Sequence, residues 1–66
     1  MSRTRYAVRL NGRYGRFVTE PSGDGWVVKS VKWVPPHQHY TMFNNEADAQ
    51  GVAGLYYGAI VVPVTQ

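Results

Sequence analysis

The chain has no cysteine, only four acidic residues and two histidines, and no apolar run approaching the roughly 18 residues of a membrane span. Each absence excludes something. Without cysteine there is neither a disulfide framework nor a thiolate metal site, so a chain this short must be held by its apolar and aromatic side chains or by self-association. With so few acids no pair of carboxylates sits in an apolar setting suited to general acid–base work. The net charge of +3 excludes an acidic mimic of nucleic acid. Ser22 and Ser30 stand in no Gly-x-Ser-x-Gly context, and Gly23-Asp24-Gly25 is too short to cradle a phosphate and reads as a turn. The expectation is a protein that is not an enzyme and needs no cofactor. The opening Met-Ser-Arg-Thr-Arg-Tyr also lacks the apolar stretch of a signal peptide, which points to a soluble, cytoplasmic chain without a membrane partner.

What is present is concentrated at one end. Five of the seven cationic residues, Arg3, Arg5, Arg9, Arg13 and Arg16, fall in the first sixteen positions, and no acid precedes Glu20. The same stretch reads as a β-hairpin, because Arg-Tyr-Ala-Val-Arg-Leu alternates polar and apolar and Asn11-Gly12 is the strongest short hairpin signal. A two-residue turn there pairs Leu10 with Arg13, and a continued register sets Arg9 opposite Tyr14, Ala7 opposite Arg16 and Arg5 opposite Val18. Tyr6, Val8, Leu10, Gly15 and Phe17 then share the face that buries. Arg5, Ala7, Arg9, Tyr14, Arg16 and Val18 share the other. On that second face Arg16 is diagonal to both Arg5 and Arg9, roughly 7–8 Å away in a regular ladder. Arg5, Arg9 and Arg16 beside Tyr14 are therefore the candidate site for an anionic partner, since guanidinium forks match phosphates and carboxylates.

A length of 66 residues implies one domain over 1–66, burying only about 60% of its unfolded surface. Pro21-Ser22-Gly23-Asp24-Gly25 should return the chain for a third strand from Trp26 to Val34. Its alternation breaks between Trp26/Val28 and Val31/Trp33, which calls for a bulge near Lys29-Ser30 or cover on both faces. Pro35-Pro36 ends that strand. Tyr40-Thr41-Met42-Phe43 then reads as a short apolar strand after a connection that crosses the sheet edge. The His37-x-His39 pair before it can share a strand face, but a metal needs a third and usually a fourth ligand, and no acid has a spacing that supplies them.

Asn44-Asn45 followed by Glu46 and Asp48 marks a helix start, and the helix is expected over Glu46 to Tyr57. Ala49, Val52, Ala53 and Tyr56 give it a narrow apolar stripe, and Gly51 and Gly54 could allow close approach to the strands, with Gly58 as the C-terminal cap. The last strand, Ala59 to Val64, is apolar on both faces and suggests a buried position, although Pro63 demands a missing ladder bond or an edge. The fold class is α+β: a small antiparallel sheet of three to five strands packed by one helix, in the order βββ(β)αβ.

This outline resembles small accessory proteins encoded by bacteriophages and prophages. The residues that carry the resemblance are Tyr6, Val8, Asn11-Gly12, Tyr14, Gly25-Trp26, Phe43, Glu46-Ala47 and Ile60 to Val62. The Pro35 to His39 segment departs from it. The resemblance implies a protein that works in the cytoplasm of a bacterial host by binding a host macromolecule and blocking or redirecting it.

Aromatic content refines the expected partner. Nine aromatic residues exceed the core needs of one thin sheet and one short helix. With Phe17, Trp26, Phe43, Tyr6 and Tyr56 assigned to the core, Trp33, Tyr40 and Tyr57 are left as candidate protein contacts. A host protein is the expected partner, nucleic acid bound on the arginine face is the alternative, and an uncovered sheet face would also invite a homodimer.

Overall fold

A computed structural model describes residues 3–65. The elements follow in the order β1 (Thr4–Leu10), β2 (Arg13–Ser22), β3 (Gly25–Val34), α1 (Glu46–Ala53) and β4 (Ile60–Thr65). The strands form one antiparallel sheet ordered β3-β2-β1-β4, and α1 lies against β1 and β4. The expected α+β class therefore holds, with four strands and the order βββαβ.

The first hairpin turns as its sequence requires. Asn11 and Gly12 both have positive φ, 52° and 77°, the geometry of a type I′ turn that Asn-Gly favours. Leu10 pairs with Arg13 and Arg9 with Tyr14. Beyond those pairs the expected register fails. Neither Ala7 with Arg16 nor Arg5 with Val18 is formed, because the strands part and the segment around Thr41 to Phe43 enters between them. Tyr6 exchanges both backbone hydrogen bonds with Phe43, at 2.9 and 2.7 Å, and the Thr41 amide donates to the Gly15 carbonyl at 3.1 Å. The Phe17 amide donates to the Thr41 hydroxyl at 2.8 Å. Counted from the turn, Tyr6 and Phe17 would have satisfied each other. The inserted segment serves them both, so burying it leaves these main-chain groups paired. The residues expected as a short strand across the sheet edge thus contribute one bridge, Tyr6 with Phe43, inside the sheet.

The second hairpin is longer than its turn formers suggest. Pro21 and Ser22 continue β2, and the reversal uses only Gly23 and Asp24, with Gly23 at φ 58°. Pro21 pairs with Trp26 and the closing pair is Ser22 with Gly25. By ladder alternation the missing Pro21 donor points away from β3, so the hairpin loses no bond there. The register shifts once, between Val18 and Thr19, leaving Lys29 as the extra residue. Of the two readings of the broken alternation, the bulge is the one found. It returns Trp26 and Val28 to the same face as Val31 and Trp33, opposite Pro21, Thr19, Phe17 and Gly15 in turn.

The helix is shorter than expected. Asn45 caps it, its side chain accepting from the Asp48 amide at 2.8 Å, but α1 ends at Ala53 rather than Tyr57. Gly51 and Gly54 each weaken it by about 1 kcal/mol relative to Ala, and its last turn carries no cation to complement the dipole. Leu55 and Tyr56 then donate to the carbonyls three residues back, Val52 and Ala53, a 3₁₀-type winding that Gly58 reverses at φ 84°. Neither Gly51 nor Gly54 brings the helix closer to the sheet. A methyl group on Gly51 would meet nothing within 4 Å, and one on Gly54 only the carbonyls of Gln50 and Gly51.

The main core joins Val8, Phe17 and Phe43 to the helical stripe of Ala49, Val52 and Ala53, with Tyr6, Trp33, Tyr56 and Val61 packed around it. Phe17 is its hub, with ring centres about 6 Å from Trp33, Phe43 and Tyr56. Gly15 is buried because the Phe17 ring occupies the space its side chain would need; a methyl there would collide with that ring and stand 3.2 Å from the Trp33 ring. On the opposite face Ala7 and Val34 are also buried.

Strand β4 is an edge, one of the two options Pro63 left open, and not the buried position its apolar faces suggested. Tyr6 turns its N–H and C=O toward Phe43, so its pairing with Pro63 is of the non-hydrogen-bonded kind. The donor that Pro63 lacks would point outward, and the ladder to β1 is complete without it.

Candidate functional site

The arginine face expected of the first hairpin is divided by the inserted segment. Arg9 is exposed beside Tyr14, but Arg5 is half-buried and its Nε has no hydrogen-bond partner. Arg16 lies across the opening from β1 and donates through Nε to the His39 carbonyl at 2.9 Å. Its neighbour across the ladder is Lys32, a cation that the hairpin alone did not supply. Arg5, Arg9 and Arg16 therefore do not form the compact diagonal cluster that a regular register implies. Tyr14 is half-buried and stacks on Tyr40, with ring centres 4.5 Å apart. The same segment that opens the hairpin thus lays Tyr40 over the middle of the basic face.

The expected protein contacts are redistributed. Trp33 is half-buried and meets Tyr56 edge-on at 5.3 Å, so it belongs to the margin of the core. Trp26, expected inside, is 39% exposed although it stacks on Phe43 at 6.1 Å. The bulge places both tryptophans on the helix side. What separates them is their position along β3: Trp33 stands beside Tyr56, whereas Trp26 lies toward the hairpin tip, where the helix gives less cover. Tyr40 is held against Tyr14, and Tyr57 is fully exposed in the turn after α1.

A surface that the sequence reading missed lies between α1 and β3. The helix covers β1 and β4, and beside it runs an open apolar groove of about 510 Å³. Trp26, Val27 and Val28 line one side and Ala47, Gly51 and Leu55 the other. Val27 is 45% exposed and Leu55 65%. Since three consecutive residues of β3 line it, the groove reaches the main chain of that strand as well as one of its faces. The signal in the sequence was Leu55, an apolar residue outside the expected helical stripe.

His37 and His39 are exposed in the loop after β3, and among the described residues no three His, Asp or Glu side chains gather in a group that could hold a metal. Among the described residues no helix is long and apolar enough to cross a membrane. Comparison with known proteins finds no matching family model, no similar curated protein and no similar solved structure.

Proposed function

We propose that this chain is a non-catalytic binding module of the phage accessory kind, which modulates or inhibits a bacterial host macromolecule by occupying it, and that the macromolecule is a protein. The observation that carries this reading is the apolar groove between α1 and β3. Exposed Trp26 and Leu55 at its walls are the sort of anchors that dominate protein interfaces. The nucleic-acid reading draws support from Arg9, Arg16 and Lys32 on the other face, with Arg16 and Lys32 paired across the ladder.

The two readings separate by salt and by mutation. Capture of a partner from bacterial lysate should persist at high salt and be lost in a Leu55→Glu variant, whose change falls on an exposed groove position. DNA or RNA binding that falls steeply with salt and disappears in Arg9→Ala/Lys32→Ala would replace the protein reading with the nucleic-acid one.

A further inference from the structure

The sheet has two edges, and they are not equivalent. At the centre of the outer edge of β4 stands Pro63, which offers no donor to an incoming strand. The outer edge of β3 carries no proline within its ladder, and the bulge at Lys29 divides it into two runs, Gly25 to Val28 and Ser30 to Val34. The Gly15 carbonyl and the Phe17 amide both point toward the inserted segment, so their ladder partners Trp33 and Val31 direct their own N–H and C=O groups outward. Across the bulge, Val28 and Trp26 do the same opposite Thr19 and Pro21. These four residues also turn their side chains to the helix side, where the groove of about 510 Å³ opens between β3 and α1. Unpaired main chain and an apolar hollow thus run side by side.

We propose that the β3 edge takes up an extended peptide segment of a partner protein as an added antiparallel or parallel strand, and that the segment alternates apolar and acidic residues. This inference rests on the protein-binding reading and narrows it. An added strand sends alternate side chains to opposite faces. Those on the helix side stand beside Trp26 and Val28 at the groove and beside Val31 further along the strand, and are apolar. Those on the other side stand beside Lys32, whose ladder neighbour is Arg16, and are acidic. Glu20, opposite Val27 toward the hairpin tip, is the one acid on that face among the described residues. A second copy of this chain is a poorer occupant. Joining two β3 edges would bring Lys29 and Lys32 of each copy to one seam without an acid to separate them.

The test uses the whole protein, labelled with nitrogen-15, and capped octapeptides that alternate valine with glutamate. Outward amides exchange quickly in the free protein. The Val/Glu peptide should slow exchange at Val31 and Trp33, roughly tenfold at nine-tenths occupancy since only the free fraction exchanges, and leave Val61 unchanged. The same peptide with alternate amides methylated on nitrogen should not bind. Lys32→Glu, an exposed change, should weaken the Val/Glu peptide roughly threefold to tenfold and favour a Val/Lys peptide instead.

Absence of slowed exchange along β3 at millimolar peptide overturns the proposal. So does slowing that follows protein concentration alone, which would make a second copy the occupant. A lysate partner lost in Leu55→Glu but leaving β3 exchange unchanged would keep the protein-binding reading and overturn the added strand.

Discussion

Around β1 and β4 the sheet is closed over by α1, and Val8, Ala49 and Val52 are nearly or fully inaccessible; along β3 the same face leaves Trp26 and Val28 at an open groove. Both regions are antiparallel strands rich in valine and aromatic residues. They differ in what the single short helix can reach. Eight helical residues from Glu46 to Ala53 extend about 12 Å, too little to cover four strands spaced about 4.8 Å apart along the full length of β2 and β3. In a domain this small, closing one half leaves the other open, and the open half is where recognition can occur without dismantling the core.

Phe17 joins the halves, so its removal should break the comparison most completely. Phe17→Ala takes out the ring that touches Trp33, Phe43 and Tyr56 and should cost about 3–5 kcal/mol. Urea unfolding should then show most of the stability gone, since a domain of this length holds only a few kcal/mol in all.

A smaller loss is expected at the inserted segment. The Thr41 hydroxyl accepts from the Phe17 amide at 2.8 Å and lies 3.4 Å from the Phe17 carbonyl, to which it donates. Thr41→Val keeps the shape and strands that amide, at a cost of about 1–3 kcal/mol. Thr41→Ser should retain most of the stability by the same denaturant measurement. Equal stability of the Val and Ser variants would mean that the segment is held by packing alone.

The open half should respond least. Leu55→Gln at the groove wall should change stability by no more than about 0.5 kcal/mol, while reducing capture of the protein partner. A loss as large as that of Thr41→Val would show that the groove is part of the core, and the contrast between the halves would fail.

Much of this was legible in the sequence because it depends on neighbours a few residues apart. Asn11-Gly12 specified the turn, Asn44-Asn45 marked the helix start, and the parity break in β3 pointed to a bulge near Lys29-Ser30 or to cover on both faces, of which the bulge is found. The expected positions of Arg5, Arg9 and Arg16 followed from that hairpin and went astray for a physical reason. A register projected from a turn assumes that the two strands remain partners to their ends, and here Tyr6 and Phe17 find other partners in Phe43 and Thr41. The exchange of the two tryptophans has a related origin: period-two patterning assigns a face and says nothing about where along a strand the covering helix lies.

By itself, then, the sequence determined the α+β class, the Asn11-Gly12 turn, the start of the helix and the excess of arginine near one end. Backbone conformations at Asn11, Gly12 and Asn45 are chosen by local sterics and hydrogen bonds within a few residues, and no distant contact is needed to select them. Tertiary structure decided what lies between β1 and β2, which edge of the sheet is open and which aromatic side chains are covered. Those outcomes are competitions among distant segments for the same main-chain partners and the same limited apolar cover. They are settled only when Thr41 to Phe43 and α1 have taken their places.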